Sequence, residues 1–195
     1  MRKILSKSGF VLLLLCLNCS FAYAGGPWKG KIIDVETKEP LDGAVILAVW
    51  ERVYRTPSGP SSSFYEAREV VTNNAGGFEI PSYTPINLLP IISNMRGPLF
   101  TIFKPGYGSV NGMALGGYFT GKAQEVQDFE ISGRRYRYAL GVIELPKLKT
   151  REERLKIISL PSSIPDGKMP KLIEFINKEA MDLGIQQSHI HGGSK

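Results

Sequence analysis

The sequence predicts an all-β sandwich followed by a C-terminal α-helical extension. Three observations predict it. From Trp28 to about Pro146, short apolar runs alternate with Gly, Pro, Asn and Ser, the spacing of strands joined by turns. No long amphipathic helix interrupts that stretch. After Pro146 the chain turns charged and helix-prone, with an apolar period near 3.6 residues.

What precedes the first strand has the layout of a secretory signal peptide. Arg2, Lys3 and Lys7 form a basic n-region, Phe10 to Leu17 is apolar apart from Cys16, and Ala22-Tyr23-Ala24 places small residues where a signal peptidase reads them. Cleavage between Ala24 and Gly25 is expected, with an uncleaved anchor as the alternative. Either places the rest of the chain outside the cytoplasm, as a periplasmic or cell-surface protein. The apolar run is far shorter than the ~20 residues that span a bilayer, and no transmembrane span is expected in the mature chain. Lipidation is disfavoured, because Cys19 follows Asn18 and Cys16 follows Leu15, where lipoproteins carry a small residue.

Both cysteines fall in this leader, so the mature chain has none to pair and has to be held by a hydrophobic core. The charge changes with cleavage as well. The whole chain has 24 basic and 18 acidic residues, a net +6; without Arg2, Lys3 and Lys7 it has 21 against 18, or +3. No basic stripe dense enough for nucleic acid remains.

Within residues 25–146 seven runs read as strands. They are Trp28 to Val35, Ala44 to Glu51, Phe64 to Thr72, Phe78 to Ile80, Leu99 to Phe103, Glu125 to Ile131 and Arg134 to Leu145. The second is apolar on both parities, as a central strand covered on both faces should be. In the last, Tyr136, Tyr138, Leu140 and Val142 share one parity while Arg135 and Arg137 take the other, the alternation of a half-buried strand. Glu39-Pro40-Leu41-Asp42-Gly43 and Asn73-Asn74-Ala75-Gly76-Gly77 supply turn chemistry between runs.

Three of these stretches resemble the carboxypeptidase-regulatory-like (transthyretin-like, prealbumin-like) domain family. Gly30 to Val45, reading GKIIDVETKEPLDGAV, resembles its opening strand, its acidic "T-x-x-P-L" turn and its "G-A-x-V". Thr72 to Phe78 resembles its "T-D-x-x-G-x-F" hairpin, with Asn73 where the family usually has Asp. Lys104-Pro105-Gly106-Tyr107 resembles its "x-x-G-Y" strand ending. The resemblance covers roughly Trp28 to Tyr107. It implies a seven-strand Greek-key sandwich that accompanies enzymes or receptors and performs no catalysis itself.

Residues 147–195 form the expected helical extension and a disordered tail. Thr150 to Ile158 is helix-prone, with Thr150 and Glu153 at capping-box spacing. Lys171 to Leu183 is amphipathic, with Leu172, Ile173, Phe175, Ile176, Ala180 and Leu183 on one face and Lys171, Glu174, Lys178, Glu179 and Asp182 on the other. Packing on the sandwich is expected; docking to a partner or membrane is the alternative.

No catalytic, cofactor or metal residues are assigned. The two histidines, His189 and His191, sit in the tail, and a dedicated zinc site takes about three or four ligands. A Ser or Cys hydrolase needs a base such as His, and the predicted sandwich contains none. A carboxylate-only enzyme remains a rival through Glu36, Glu39, Glu51, Glu66 and Glu69. Lys29 or Lys31 could offer the amine of an isopeptide cross-link, but the last strand has no Asn.

The candidate ligand contacts are Arg134, Arg135, Tyr136, Arg137 and Tyr138, where guanidinium groups could grip phosphates or carboxylates of envelope polymers. A carbohydrate-binding rival would use Trp28, Trp50, Tyr54, Tyr65, Tyr83 or Tyr118 as sugar platforms. Pro85 to Pro98 is too apolar for a free loop. It is expected to cover one end of the sandwich, and if exposed it would be a contact patch. The chain therefore reads as a monomeric, non-enzymatic envelope module whose partner is an envelope protein or a cell-wall polymer.

Overall fold

The computed structural model describes residues 25–121, 127–131, 134–159, 161 and 163–185, with the backbone alone at 127–131 and 134–139. The expectations for the leader and for His189 and His191 lie outside the described residues. Gly25, the residue after the expected cleavage point, bridges to Tyr83.

Nine strands are present among the described residues: β1 (Trp28–Asp34), β2 (Val45–Thr56), β3 (Gly59–Val71), β4 (Gly77–Ile80), β5 (Ser93–Phe103), β6 (Val110–Met113), β7 (Gln127–Ile131), β8 (Arg134–Ala139) and β9 (Val142–Leu145). The expected count of seven is corrected at two places. β6 is too short to stand out in the sequence. The run Arg134 to Leu145 is a hairpin, turned at Leu140-Gly141 with Gly141 at φ +71°, so its two-residue alternation stops at Ala139.

The strands form two sheets, in the orders β4-β1-β9-β8-β7 and β3-β2-β5-β6. β1 runs antiparallel to β4 and parallel to β9. One core fills the space between the sheets: Trp28 and Ile32 of β1, Phe78 and Ile80 of β4, and Ile143 and Leu145 of β9 meet Ile46, Ala48 and Trp50 of β2 with Phe100 and Ile102 of β5. The short helix α1 (Gly116–Phe119) adds Phe119, which packs edge-on against Phe78 and Phe100 at ring distances of 5.0 and 4.9 Å. Such edge contacts contribute about 0.5–1.5 kcal/mol beyond area burial.

The other face of β2 is buried too. Val45, Leu47 and Val49 lie in a second core with Ala67, Phe103, Ile164, Met169, Leu172 and Ile176. The last four of these belong to the C-terminal extension, which includes α2 (Arg151–Leu155) and α3 (Pro170–Asp182). The order of layers is therefore sheet, sheet, helix, and β2 is covered on both faces as its sequence predicts.

The extension is anchored by charge as well as by apolar contact. Thr150 and Glu153 form the expected capping box of α2. The residue before α3, Met169, has no capping side chain; the Glu69 carboxylate of β3 accepts the Lys171 and Leu172 N–H groups at 2.7 and 3.1 Å instead. Lys168 pairs with Glu66 at 2.7 Å. Glu179, expected on the polar face, is fully buried. Its oxygens accept from Arg154 Nε and Nη2 at 2.6 and 2.8 Å and from the Gly106 N–H at 3.0 Å. That pairing is what makes a buried carboxylate tolerable.

The three family-like stretches meet in space. The buried Thr72 hydroxyl donates to the Leu41 carbonyl and accepts from the Ala44 N–H. Asn73 Oδ1 accepts from the N–H groups of Ala75 and Gly77, the cap its position predicts. Gly76 has φ +71°, and a Cβ there would sit 2.4 Å from the Ile32 carbonyl, so only glycine lets the hairpin approach β1. Asp34 at the end of β1 accepts from the Glu36 and Thr37 N–H groups at 2.7 and 3.0 Å, with the Tyr107 side chain beside it. These contacts gather at the end of the four-stranded sheet where Val45 pairs with both Val71 and Phe103.

Candidate functional site

The opposite end of that sheet is built differently. There β2 and β3 run on as a hairpin to Thr56 and Gly59, and β5 begins at Ser93 opposite Tyr54. A β-bulge at Trp50 and Glu51 bends β2 as it leaves the core. Gly97 fits against that bulge with φ +121°; a Cβ there would lie 2.6 Å from the Val49 carbonyl. β4 hands over to β5 through a long segment, residues 81–92.

This segment does not cover the sandwich, contrary to the sequence expectation. Ile86, Leu88, Leu89, Ile91 and Ile92 are 65, 78, 46, 87 and 50% exposed. The adjacent end of the core is already closed by aromatic rings. Tyr83 packs edge-on to Trp50 at 4.8 Å, and Trp50 to Trp28 at 5.5 Å. The aliphatic side chains beyond Tyr83 have no apolar surface left to meet.

The loop is nonetheless well tied. Asn87 Nδ2 donates to the Ser93 carbonyl at 2.7 Å, and Asn87 Oδ1 accepts from the Leu89 N–H and the Ser93 hydroxyl. The Leu89 carbonyl accepts from the N–H groups of Ile92 and Ser93. Three bonds fasten it to the hairpin: Arg55 N–H to the Ile92 carbonyl at 3.0 Å, the Tyr65 hydroxyl to the Ile86 carbonyl at 3.2 Å, and the Ile86 N–H to the Tyr65 hydroxyl at 3.3 Å.

Basic residues predominate in the stretches around it. Residues 52–65 and 81–98 contain Arg52, Arg55 and Arg96 and no Asp or Glu. Arg52 lies over the Tyr65 ring at 5.0 Å, with its Nε buried and lacking a hydrogen-bond partner. Arg96 pairs with Glu51 of β2, and Arg55 is exposed.

The sites read from the sequence fare unevenly. Arg134 to Tyr138 lie on β8, between β7 and β9, and their side chains are outside the described residues. The register sets Arg135 opposite Glu130 and Arg137 opposite Asp128. Of the proposed sugar platforms, Trp28, Trp50 and Tyr118 are buried, and Tyr65 and Tyr83 are covered by Arg52 and Arg68. Tyr54 is half-buried on the hairpin. Four of the five candidate carboxylates are engaged, Glu36 with Lys149, Glu51 with Arg96, Glu66 with Lys168, and Glu69 with the start of α3, while Glu39 is exposed.

Among the described residues, clefts flank the sandwich at two places. One, about 300 Å³, lies between Val49, Leu99 and Thr101 and the segment holding Ile164. The other, about 570 Å³ and more open, is walled largely by backbone at Gly25, Gly26, Gly97 and Gly116, beside Trp28. Neither gathers titratable groups. Among the described residues no three His, Cys, Asp or Glu side chains converge, and no helix is long and apolar enough to cross a membrane.

Comparison with models of protein families, with curated proteins and with solved structures finds no match to this chain.

Proposed function

We propose that the chain is a non-enzymatic interaction module of the cell envelope, a sandwich of the carboxypeptidase-regulatory-like kind that docks through its 84–92 loop. One observation carries the docking part: five large aliphatic side chains stand exposed together on a loop fixed by hydrogen bonds. Exposed apolar clusters of this sort mark interaction sites in soluble domains. The family reading is supported by the meeting of the three motif stretches through Thr72, Asp34 and Tyr107. A binding reading is favoured over a carboxylate enzyme because four of the five candidates, Glu36, Glu51, Glu66 and Glu69, each have a structural partner, which leaves only Glu39.

Export is the remaining part of the reading and rests on residues 1–24 of the sequence. The test is tagged co-purification from detergent-solubilised native envelope, with the chain and its Leu88→Asp/Ile91→Asp variant side by side. A recurrent envelope component retained by the former and lost by the latter is expected. Identical material on both would remove the loop from the docking surface.

A further inference from the structure

We infer that the occupant of the 84–92 loop is the surface of an anionic lipid bilayer. The inference rests on the docking role assigned to this loop and names what it docks to. Three features of the loop point to lipid.

The first is shape and composition. Leu88 and Ile91, at 78 and 87% exposure, stand clear of the fold, so the tip is convex and offers no groove for a partner to fill. A fluid acyl phase accepts a convex tip without a matching cavity. The tip is also purely aliphatic, whereas protein interfaces concentrate their binding energy in Trp, Tyr and Arg, with Leu under-represented.

The second is the backbone. Insertion into the interface carries peptide groups out of water, and an unpaired group there is costly. The loop has already paired several of them internally: the Leu89, Ile92 and Ser93 N–H groups have partners within the loop, and the Ile86 and Ile92 carbonyls are taken by Tyr65 and Arg55. Asn87 and Ser93, its polar side chains at this point, are bonded to each other.

The third is charge. Behind the aliphatic tip come Arg52 and Arg55 with Tyr65, and the carboxylates that flank them on the hairpin, Glu51 and Glu66, are taken up by Arg96 and Lys168. Tyr and Arg suit the headgroup level, where an apolar body and a polar end are both accommodated. Basic residues next to an inserted segment draw it to anionic lipid.

The experiment uses the full chain with a reporter at the tip, Leu88→Trp. Trp28 and Trp50 are each 2% exposed and give a constant background. Vesicles of phosphatidylcholine alone are compared with vesicles containing phosphatidylglycerol, including a brominated form that quenches indole on contact with acyl chains. The expected result is a blue shift and quenching with the anionic vesicles, weakened by salt. Arg55→Ala should lower that binding roughly fivefold. Leu88→Asp/Ile91→Asp, compared with the parent after residues 1–24 are removed from both, should lower co-sedimentation with the same vesicles by more than about tenfold.

No change in the Trp emission with either vesicle overturns the inference. So does a blue shift without vesicles that accompanies a doubled mass in solution, which would make a second copy the occupant. If vesicles have no effect but the Asp variant loses a co-purifying envelope protein, the lipid inference fails and the docking module stands. If the variant loses neither, both fail.

Discussion

Replacing Glu179 by Gln should destabilise the protein by about 3 kcal/mol. The carboxylate has 0% exposed side chain, and its partner Arg154 retains 26%. Gln keeps the shape and can still accept from Gly106, but it removes the charge that two guanidinium bonds at 2.6 and 2.8 Å address. Breaking a buried pair from one side costs about 3–5 kcal/mol. The low end applies, because Arg154 keeps some water and has Asp182 at 3.8 Å. For a chain of this size that corresponds to a fall in Tm of roughly 6–12 °C.

Thermal unfolding and urea titration followed by circular dichroism measure the change. A double-mutant cycle with Arg154→Met isolates the pair: the double variant should be less destabilised than the two single costs added together. A Glu179→Gln midpoint within about 0.5 kcal/mol of the parent, or strictly additive costs, would refute the claim that this pair holds α3 against α2. The stakes are structural, since undocking α3 uncovers Val45, Leu47, Val49 and Phe103. For the same reason, truncation after Pro146 is a poor test of docking by the extension, because it exposes a core.

Two further predictions concern single carboxylates. Glu69→Gln weakens the cap that β3 lends to α3 and should cost about 0.5–2 kcal/mol, with amide exchange at Lys171 and Leu172 accelerated more than elsewhere in the helix. Burial pushes the Asp34 carboxyl up, but donation from the Thr37 and Glu36 N–H groups and from Tyr107, with the nearby Lys147 charge, holds it below the ordinary carboxylate value. A group depressed in the folded state stabilises fully above its unfolded value near about pH 4 and loses that contribution as pH falls through the folded one. Asp34→Asn should therefore lower the urea midpoint at pH 7, and the gap to the parent should shrink by pH 3.

The parts of this fold that were legible are those whose signals are local. β2 is apolar on both parities, and its two faces are covered by β1 and β9 on one side and α3 on the other. Thr150 and Glu153 announce a capping box three residues apart, and Asn73 announces its turn. What stayed hidden depends on distant partners. The cap of α3 comes from Glu69, about a hundred residues earlier in the chain, with a separation of 102 to Lys171. Glu179 reads as a solvent-facing residue because helical period says nothing of an arginine on another helix or of the Gly106 N–H. The break at Gly141 was visible as a glycine, yet the parity of Tyr136 to Val142 on either side of it is what a single strand would show.

The 84–92 loop shows why hydrophobicity alone misplaced a surface. A run of Ile and Leu between prolines states that these side chains leave water at a gain; it does not state what they leave it for. Burial against the sandwich was the economical reading because most apolar clusters in a domain end in its own core. The structure excludes that for a concrete reason. Trp28, Trp50 and Tyr83 already close this end with edge-on ring contacts at 5.5 and 4.8 Å. With the internal core complete, the apolar transfer energy of five side chains is left unspent. Hydrogen bonds that hold the loop in that exposed form, through Asn87, Ser93 and Tyr65, would be a poor arrangement for a segment with no partner. They fit one that meets its apolar phase outside the chain.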